Sequence, residues 1–314
     1  MLDIVIVNWN SGDYLKNCIH SIFENNNVNF IKTVFIIDNN SKDASFEKIN
    51  TKNKIHLIQN KENLGFAKAC NQGFKLSTAP FVLLLNPDTQ LLETTLEDCS
   101  NFMEANPEID ILGCHLLDDA GVTSPSCARF PTPVSIFIDC AGLSKIFPFL
   151  FKPAILMSDW DHKTSRYVDQ VMGAFMFMRH SIFEKVGYFD ERFFVYSEEL
   201  DFSKRLSDMG GKSYYNTDIT AIHSGQGTTI SVKAFRLFLN LQSRLLYARK
   251  HFKNSGYLLV WFGTYFIEPF TRISFLLIKG KFKEVKSAIE GYRMLISKNP
   301  STNRKLSNKN KNQG

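Results

Sequence analysis

The stretch Gly187 to Leu206, GYFDERFFVYSEELDFSKRL, interleaves Asp190, Glu191, Glu198, Glu199 and Asp201 with Tyr188, Phe189, Phe193, Phe194 and Tyr196. An ordinary amphipathic helix would sort these two kinds of residue onto opposite faces. Carboxylates between apolar walls bind protons more tightly and shed water, which makes a usable general base. A plainer reading also fits: Ser197 as an N-cap with Glu198 and Glu199 in the first turn, where the helix dipole favours acids. Three more polar clusters could bind a ligand: Asn8-Trp9-Asn10, Asp38-Asn39-Asn40-Ser41-Lys42-Asp43 and Asn86-Pro87-Asp88-Thr89. His223 precedes a small-residue stretch in which Gly225 and Gly227 are a weak phosphate-cradle signal.

The elements around these clusters decide whether they can meet. Short unbroken apolar runs recur at Leu2 to Val7, Val34 to Ile37, Ile55 to Ile58, Phe81 to Leu85 and Ile109 to Leu112. Strands covered on both faces read this way, and the helical segments between them imply right-handed crossovers. The helices are expected at Tyr14 to Glu24, Phe66 to Leu76 and Leu91 to Ala105, the last stopped by Asn106-Pro107. The fold class is therefore α/β with a parallel half. The polar clusters follow the first, second and fourth runs, so they should gather along the carboxyl edge of one sheet, where open α/β sheets bind ligands. Turn-forming and capping by Asn, Asp and Ser explains any one cluster, but all three less well.

Downstream, Leu117 to Asp169 is Pro-punctuated and aromatic-rich, as binding loops and lids are. A strand is expected at Val171 to Met178, a short one near Ser213 to Tyr215, and a helix from about Val232 to His251. The net charge is +6, yet from Thr271 onward eleven Lys and Arg face two acids, so the basicity belongs to the tail. A basic tail without a binding module argues against nucleic acid. The six cysteines show no C-x-x-C spacing and read as buried free thiols of a reducing compartment. The start of the chain lacks a secretory pattern, so a cytoplasmic protein is expected.

Taken in order, the blocks IVIVNWNS, IIDNNSKD, NKENLGFAKACNQG, LLLNPDT and VMGAFMFMRHSIFEKVGYFDERFFVYSEELDFSKRL, with the later His223, resemble glycosyltransferase family 2. Within that family of inverting enzymes with the GT-A fold, they are similar to the rhamnosyltransferase-like branch. The resemblance spans roughly Leu2 to Lys253. It implies a domain over 1–253, with a nucleotide-sugar-binding half at 1–116 and an acceptor-binding, catalytic half at 117–253. A helical extension at 254–300 and a disordered basic tail at 301–314 would follow. By the same resemblance Asn8, Asp38, Asn40, Asn63, Gly65 and Asn71 line the nucleotide pocket, with Asp38 facing the base. Asn86 and Asp88 replace the D-x-D metal motif, so Asp88, with His223, would hold a divalent Mg or Mn ion. Gly173 and Ala174 give the small-residue step where donor and acceptor approach the backbone, and Glu198 belongs to the donor-binding set. Glu199 takes the base position with a longer side chain than the family's Asp. The donor implied is dTDP-rhamnose or a UDP-sugar, and the acceptor a glycan, free or lipid-linked, of a bacterial surface polysaccharide such as O-antigen.

Asp201 precedes Arg205 by four residues, so a helical ion pair accounts for it. Tyr257 to Ile278 is apolar, but Glu268, Pro269 and Arg272 interrupt it, which argues against a membrane span. Two readings of the extension remain: helices lying on an anionic leaflet, followed by Lys279, Lys281, Lys283, Lys286 and Arg293, or a helical pair packed on the domain. The first puts the enzyme peripherally on the inner face of the cell membrane. A sugar-nucleotide nucleotidyltransferase would need a basic Gly-rich loop after the first run, which Asn8 to Gly12 lacks, and a catalytically inactive glycan-binding relative would explain Asn86 and Glu199.

Overall fold

The computed structural model describes residues 1–23, 26–48, 54–225 and 233–297. Gly227 and the expected tail at 301–314 lie outside the described residues. The chain divides into two compact units, one made of Met1–Pro131 with Pro153–Thr228, the other of Thr132–Lys152 with the residues from Thr229 onward.

The first unit is a mixed sheet flanked by helices. Its strands are β1 (Leu2–Asn8), β2 (Ile31–Asp38), β3 (Ile55–Gln59), β4 (Phe81–Leu85), β5 (Thr89–Leu91), β6 (Ile111–Leu117), β7 (Cys127–Ala128), β8 (Arg166–Val168), β9 (Gln170–Val171), β10 (Phe175–Arg179) and β11 (Ser213–His223). The main sheet runs β3-β2-β1-β4-β10-β6-β11-β5, with β8 on β11, while β7 and β9 form a separate ribbon. Helices α1 (Asp13–Phe23), α2 (Phe66–Leu76) and α3 (Thr95–Ala105) are the expected crossovers. The start of α3 is corrected, because the chain from Thr89 to Leu91 pairs with β11 as β5 before the helix begins.

Successive residues of the central strands enter opposite cores. Ile4, Ile6, Leu83, Leu85, Phe175 and Phe177 pack on one face; Val5, Val7, Val82, Leu84, Met176 and Met178 pack on the other. Each such side chain contributes about 1.5–3 kcal/mol on full burial, which is why these runs carry no alternation. The expected strand Val171 to Met178 divides at Met172-Gly173-Ala174 into β9 and β10, and β10 inserts antiparallel between β4 and β6. The sheet is therefore mixed past β4. All six cysteines are free and buried. Two helices follow β10, α6 (Ile182–Val186) and α7 (Glu198–Asp208), and after them the short strand expected near Ser213 extends to the eleven residues of β11, ending on His223.

The second unit is helical: α4 (Pro133–Cys140), α5 (Leu143–Ile146), α8 (Lys233–His251), α9 (Asn254–Phe262), α10 (Glu268–Ile278) and α11 (Phe282–Ser297). Thr132 and Ser135 form a reciprocal capping box that starts α4, with Pro133 in the first turn. A π-helical turn, Gly263–Ile267, separates α9 from α10. Glu268 is buried at the start of α10, where its carboxylate accepts from Arg244 and from Arg272 (2.5 Å) and takes the Cys140 thiol at 3.8 Å. Burial works to raise the Glu268 pKa, yet the two guanidiniums hold it below the usual carboxylate range. The polar residues that interrupt the apolar run are thus each other's partners. Among the described residues no helix is long and apolar enough to cross a membrane.

Candidate active site

The register of β1 and β2 sets Asn8 directly beside Asp38. The Asn8 amide donates to Asp38 Oδ1 at 2.7 Å, Ser45 Oγ at 2.8 Å and Ser41 Oγ at 3.1 Å, while the Ser41 N–H closes on Asp38 Oδ2 at 3.1 Å. Asn8 and Asp38 are both buried, and the Asn8 amide nitrogen fixes Asp38 in place. Asn40, in a left-handed conformation (φ 64°), is half-buried and accepts from Lys42 Nζ at 2.6 Å. Beside this edge a cavity of about 420 Å³ is lined by Asn10, Ser11, Gly12, Asp13, Tyr14, Asn17 and Asp43.

Asn39 ties the next loop in place, a part that the sequence did not single out. Its Nδ2 donates to Asn63 Oδ1 (3.0 Å) and the Gly65 carbonyl (3.1 Å), and its Oδ1 accepts from Asn60 and the Leu64 N–H, both at 3.1 Å. Asn63 Oδ1 also accepts from the Gly65 N–H at 2.9 Å. Gly65 has φ +87°, and a Cβ there would lie 2.6 Å from the Phe194 carbonyl oxygen. That carbonyl accepts from the Phe66 N–H at 2.6 Å, so a glycine lets the nucleotide-side loop close on the aromatic wall of the acidic segment. Asn71 is turned elsewhere. It exchanges hydrogen bonds with the backbone of Phe189 and reaches Glu191 at 3.0 Å, which makes it a clamp on the acidic segment.

Asp88 follows β4 and has His223 Nε2 at 3.3 Å from its Oδ1. Pairing of His223 with Thr89, across β11 and β5, brings the two together. The Asn86–Thr89 turn is bolted to the start of β10: the Ala174 carbonyl accepts from the Asn86 N–H at 3.1 Å and the Thr89 hydroxyl at 3.2 Å. Beneath the turn, burial and the charge of Asp88 drive the Cys18 thiol far up, so Cys18 stays neutral. Among the described residues no three His, Cys, Asp or Glu side chains converge as a metal cage. A carboxylate and an imidazole suit a divalent ion that takes its other ligands from phosphate and water.

The residue before Ala174, Gly173, faces Glu199. A Cβ on it would lie 2.5 Å from Glu199 Oε1. Glu199 follows two residues forced into left-handed backbone, Tyr196 (φ 71°) and Ser197 (φ 66°), a costly arrangement of the kind found where a side chain must be aimed. Ser197 occupies the N-cap position of α7 without a side-chain capping bond. Burial raises the pKa of Glu199 above the usual carboxylate range, opposed by hydrogen bonds to its own backbone and to that of Gly173. Glu198 is 1% exposed with one oxygen that has no hydrogen-bond partner. Burial, then the neighbouring Glu199 charge, raises its pKa well above the usual range. Glu198 and Glu199 thus form a buried pair of adjacent carboxyls whose proton affinities are both raised by burial. Asp201 is fully buried against Arg205 at 2.9 Å, the helical pair expected of it.

The β4 edge thus carries a carboxylate–imidazole pair, and the turn between β9 and β10 carries Gly173 against a buried carboxyl. The family model described as glycosyl transferase family 2 matches residues 3–187. The chain belongs to glycosyl transferase family 2. Similar proteins include the low-salt glycan biosynthesis hexosyltransferase Agl10 of Haloferax volcanii, 25% identical over 259 residues that cover 81% of this chain and 77% of that protein. The N-acetylglucosaminyl-diphospho-decaprenol L-rhamnosyltransferase of Mycobacterium tuberculosis is 24% identical across 71% of this chain and 76% of its own length. Rhamnosyltransferase WbbL of Escherichia coli is 25% identical across 82% and 97%. Among solved structures, the mannosyltransferase PcManGT of Pyrobaculum calidifontis, in complex with GDP-Man and Mn2+, superposes with a TM-score of 0.55 at 12% identity, covering 94% of this chain and 86% of that one. That likeness shows the fold, a GT-A type sheet with helices at the C-terminal end.

Proposed function

We propose that this family 2 member is a metal-dependent, inverting hexosyltransferase that moves a sugar, L-rhamnose being the first choice, from a nucleoside diphosphate donor to a growing lipid-linked glycan. The observation that carries the proposal is the Gly173-Ala174 step. Its Ala174 carbonyl holds the Asp88 turn, and its Gly173 leaves space for Glu199. One dipeptide thus fixes a candidate leaving-group side and a candidate base side in a single frame. The names of the L-rhamnosyltransferase relatives and the GDP-Man and Mn2+ of the mannosyltransferase support the substrate class.

In this reading Asp88 and His223 hold a divalent ion, which when bound offsets charge on the departing diphosphate. Asn8, Ser41 and Ser45 lock Asp38 toward the nucleotide, and Asn39 with Asn63 shapes the loop that flanks it. Glu199 takes the proton from the acceptor hydroxyl. Its raised pKa makes it a stronger base for that step than an ordinary carboxylate. The apolar side chains exposed on the second unit support a peripheral place on the inner face of the cell membrane, where a lipid-linked acceptor would lie. The test is a panel of sugar nucleotides, dTDP-rhamnose and UDP-sugars included, with Mg²⁺ or Mn²⁺ and released nucleoside diphosphate as the readout. Metal-dependent release from one donor is expected, and release from none of them would remove the proposal.

A further inference from the structure

Within the helical unit the segment from Lys145 to Lys152 reads KIFPFLFK. It begins with the last two residues of α5 and leaves apolar residues in solvent: exposure is 61% for Ile146, 48% for Phe147, 75% for Leu150 and 101% for Phe149. Lysines bracket the run, and no acid lies between Leu143 and Lys152. Side chains of this kind normally find cover, and contiguous exposure marks a docking surface. A second exposed apolar group, Leu277, Ile278 and Phe282, belongs to the same unit. The two groups are adjacent, because Lys145 Nζ and Lys279 Nζ both lie over the Phe275 ring, 5.4 Å and 4.5 Å from its centre. The outcome is a pair of apolar tips with a basic collar between them.

We infer that the Ile146–Leu150 segment inserts into the interface of an anionic bilayer, with Lys145 and Lys279 at the headgroups. Lysines at the border of an apolar tip place their stems along hydrocarbon and their charges at lipid phosphates. A second copy of the chain would bring the same lysines against each other, and like charges oppose that pairing. This inference rests on the membrane-peripheral reading given above and assigns the contact to an internal loop, in addition to the C-terminal helices.

The experiment uses the full chain and vesicles of equimolar phosphatidylcholine and phosphatidylglycerol, with phosphatidylcholine vesicles alongside. Phe149→Asn combined with Leu150→Asn should lower partitioning to the anionic vesicles by about tenfold or more without moving the melting temperature, since both side chains are already in water. The six native cysteines are buried, so Phe149→Cys supplies one reactive thiol for a polarity-sensitive dye, whose emission should shift to the blue on anionic vesicles. Unchanged partitioning in the double variant, with no dye shift, would overturn the inference. So would loss of a dimer in light scattering while vesicle binding stays intact, because the loop would then pair two copies. Donor hydrolysis is measured on the same samples: a blue shift without hydrolysis leaves the insertion standing and removes only the glycosyltransferase proposal.

Discussion

Replacing Gly173 by Ala tests the geometry of the base in a way that a substitution of the base itself cannot. The added Cβ would sit 2.5 Å from Glu199 Oε1 and 3.3 Å from its Cδ and Cγ. The obstructed atoms are the end of a flexible side chain, and Gly173 has no left-handed backbone to strain. The fold should therefore tolerate the change while the carboxylate retreats by about 1 Å to reach van der Waals contact, and a displacement of that size costs on the order of 10²-fold in turnover. The assay compares steady-state kcat, donor affinity by calorimetry and melting temperature. A fall of about 10²-fold in kcat, with donor affinity and melting temperature near those of the parent, is expected. Parental kcat in Gly173→Ala would show that Glu199 does not work from its place above this residue.

Asp88→Ala should abolish transfer and the metal-dependent part of nucleotide binding while leaving circular dichroism unchanged, as should excess EDTA with the parent; activity surviving both would dismiss the carboxylate–imidazole ion site. Gly65→Ala should act on stability, because left-handed backbone costs a non-glycine residue about 1–2 kcal/mol before the contact with the Phe194 carbonyl is counted; a melting temperature equal to the parent's would show that this loop closes differently. Glu268→Ala leaves two guanidiniums unpaired in the helical unit and should destabilise it by about 3–5 kcal/mol in denaturant titration. Because its two arginines hold the Glu268 pKa below the unfolded value, this contribution is full above the ordinary carboxylate range and is lost as pH falls through the lowered pKa. The parent and variant curves should converge in acid.

Periodicity and runs made much of the first unit legible. Phe66–Leu76 and Phe81–Leu85 fall where the sequence puts them, because a buried parallel strand and its crossover helix each leave a local pattern. The antiparallel insertion of β10 left none, since a strand covered on both faces reads alike in either direction. The site was visible as residue types at strand ends, and the Asn8–Asp38 and Asp88–His223 pairings follow from registers that bring residues 30 or more positions apart to one edge. What escaped was the hydrogen-bond assignment within clusters. Asn39 rather than Asn40 is the hub, and Asn71 clamps the acidic segment, because neighbouring asparagines are indistinguishable until the loop's path is fixed. The exposed Phe147 to Leu150 run lies within the Pro-punctuated, aromatic-rich stretch read as loops, but its exposure was not legible, because an apolar run reads as buried until the chain is seen to leave it in solvent.

The most direct test of the account is the pH dependence of kcat for the parent, Glu199→Gln, Glu198→Gln and Asp201→Asn. Burial raises the Glu199 pKa, and the base works deprotonated, so parental activity should be present above that raised pKa and fall as pH drops through it. Glu199→Gln should lose about 10²-fold or more at neutral pH and lose this acid limb as well, with donor affinity unchanged. The two control variants should keep the limb. Near-parental turnover in Glu199→Gln, with either control inactive though folded, would contradict the account and move the base to another carboxylate.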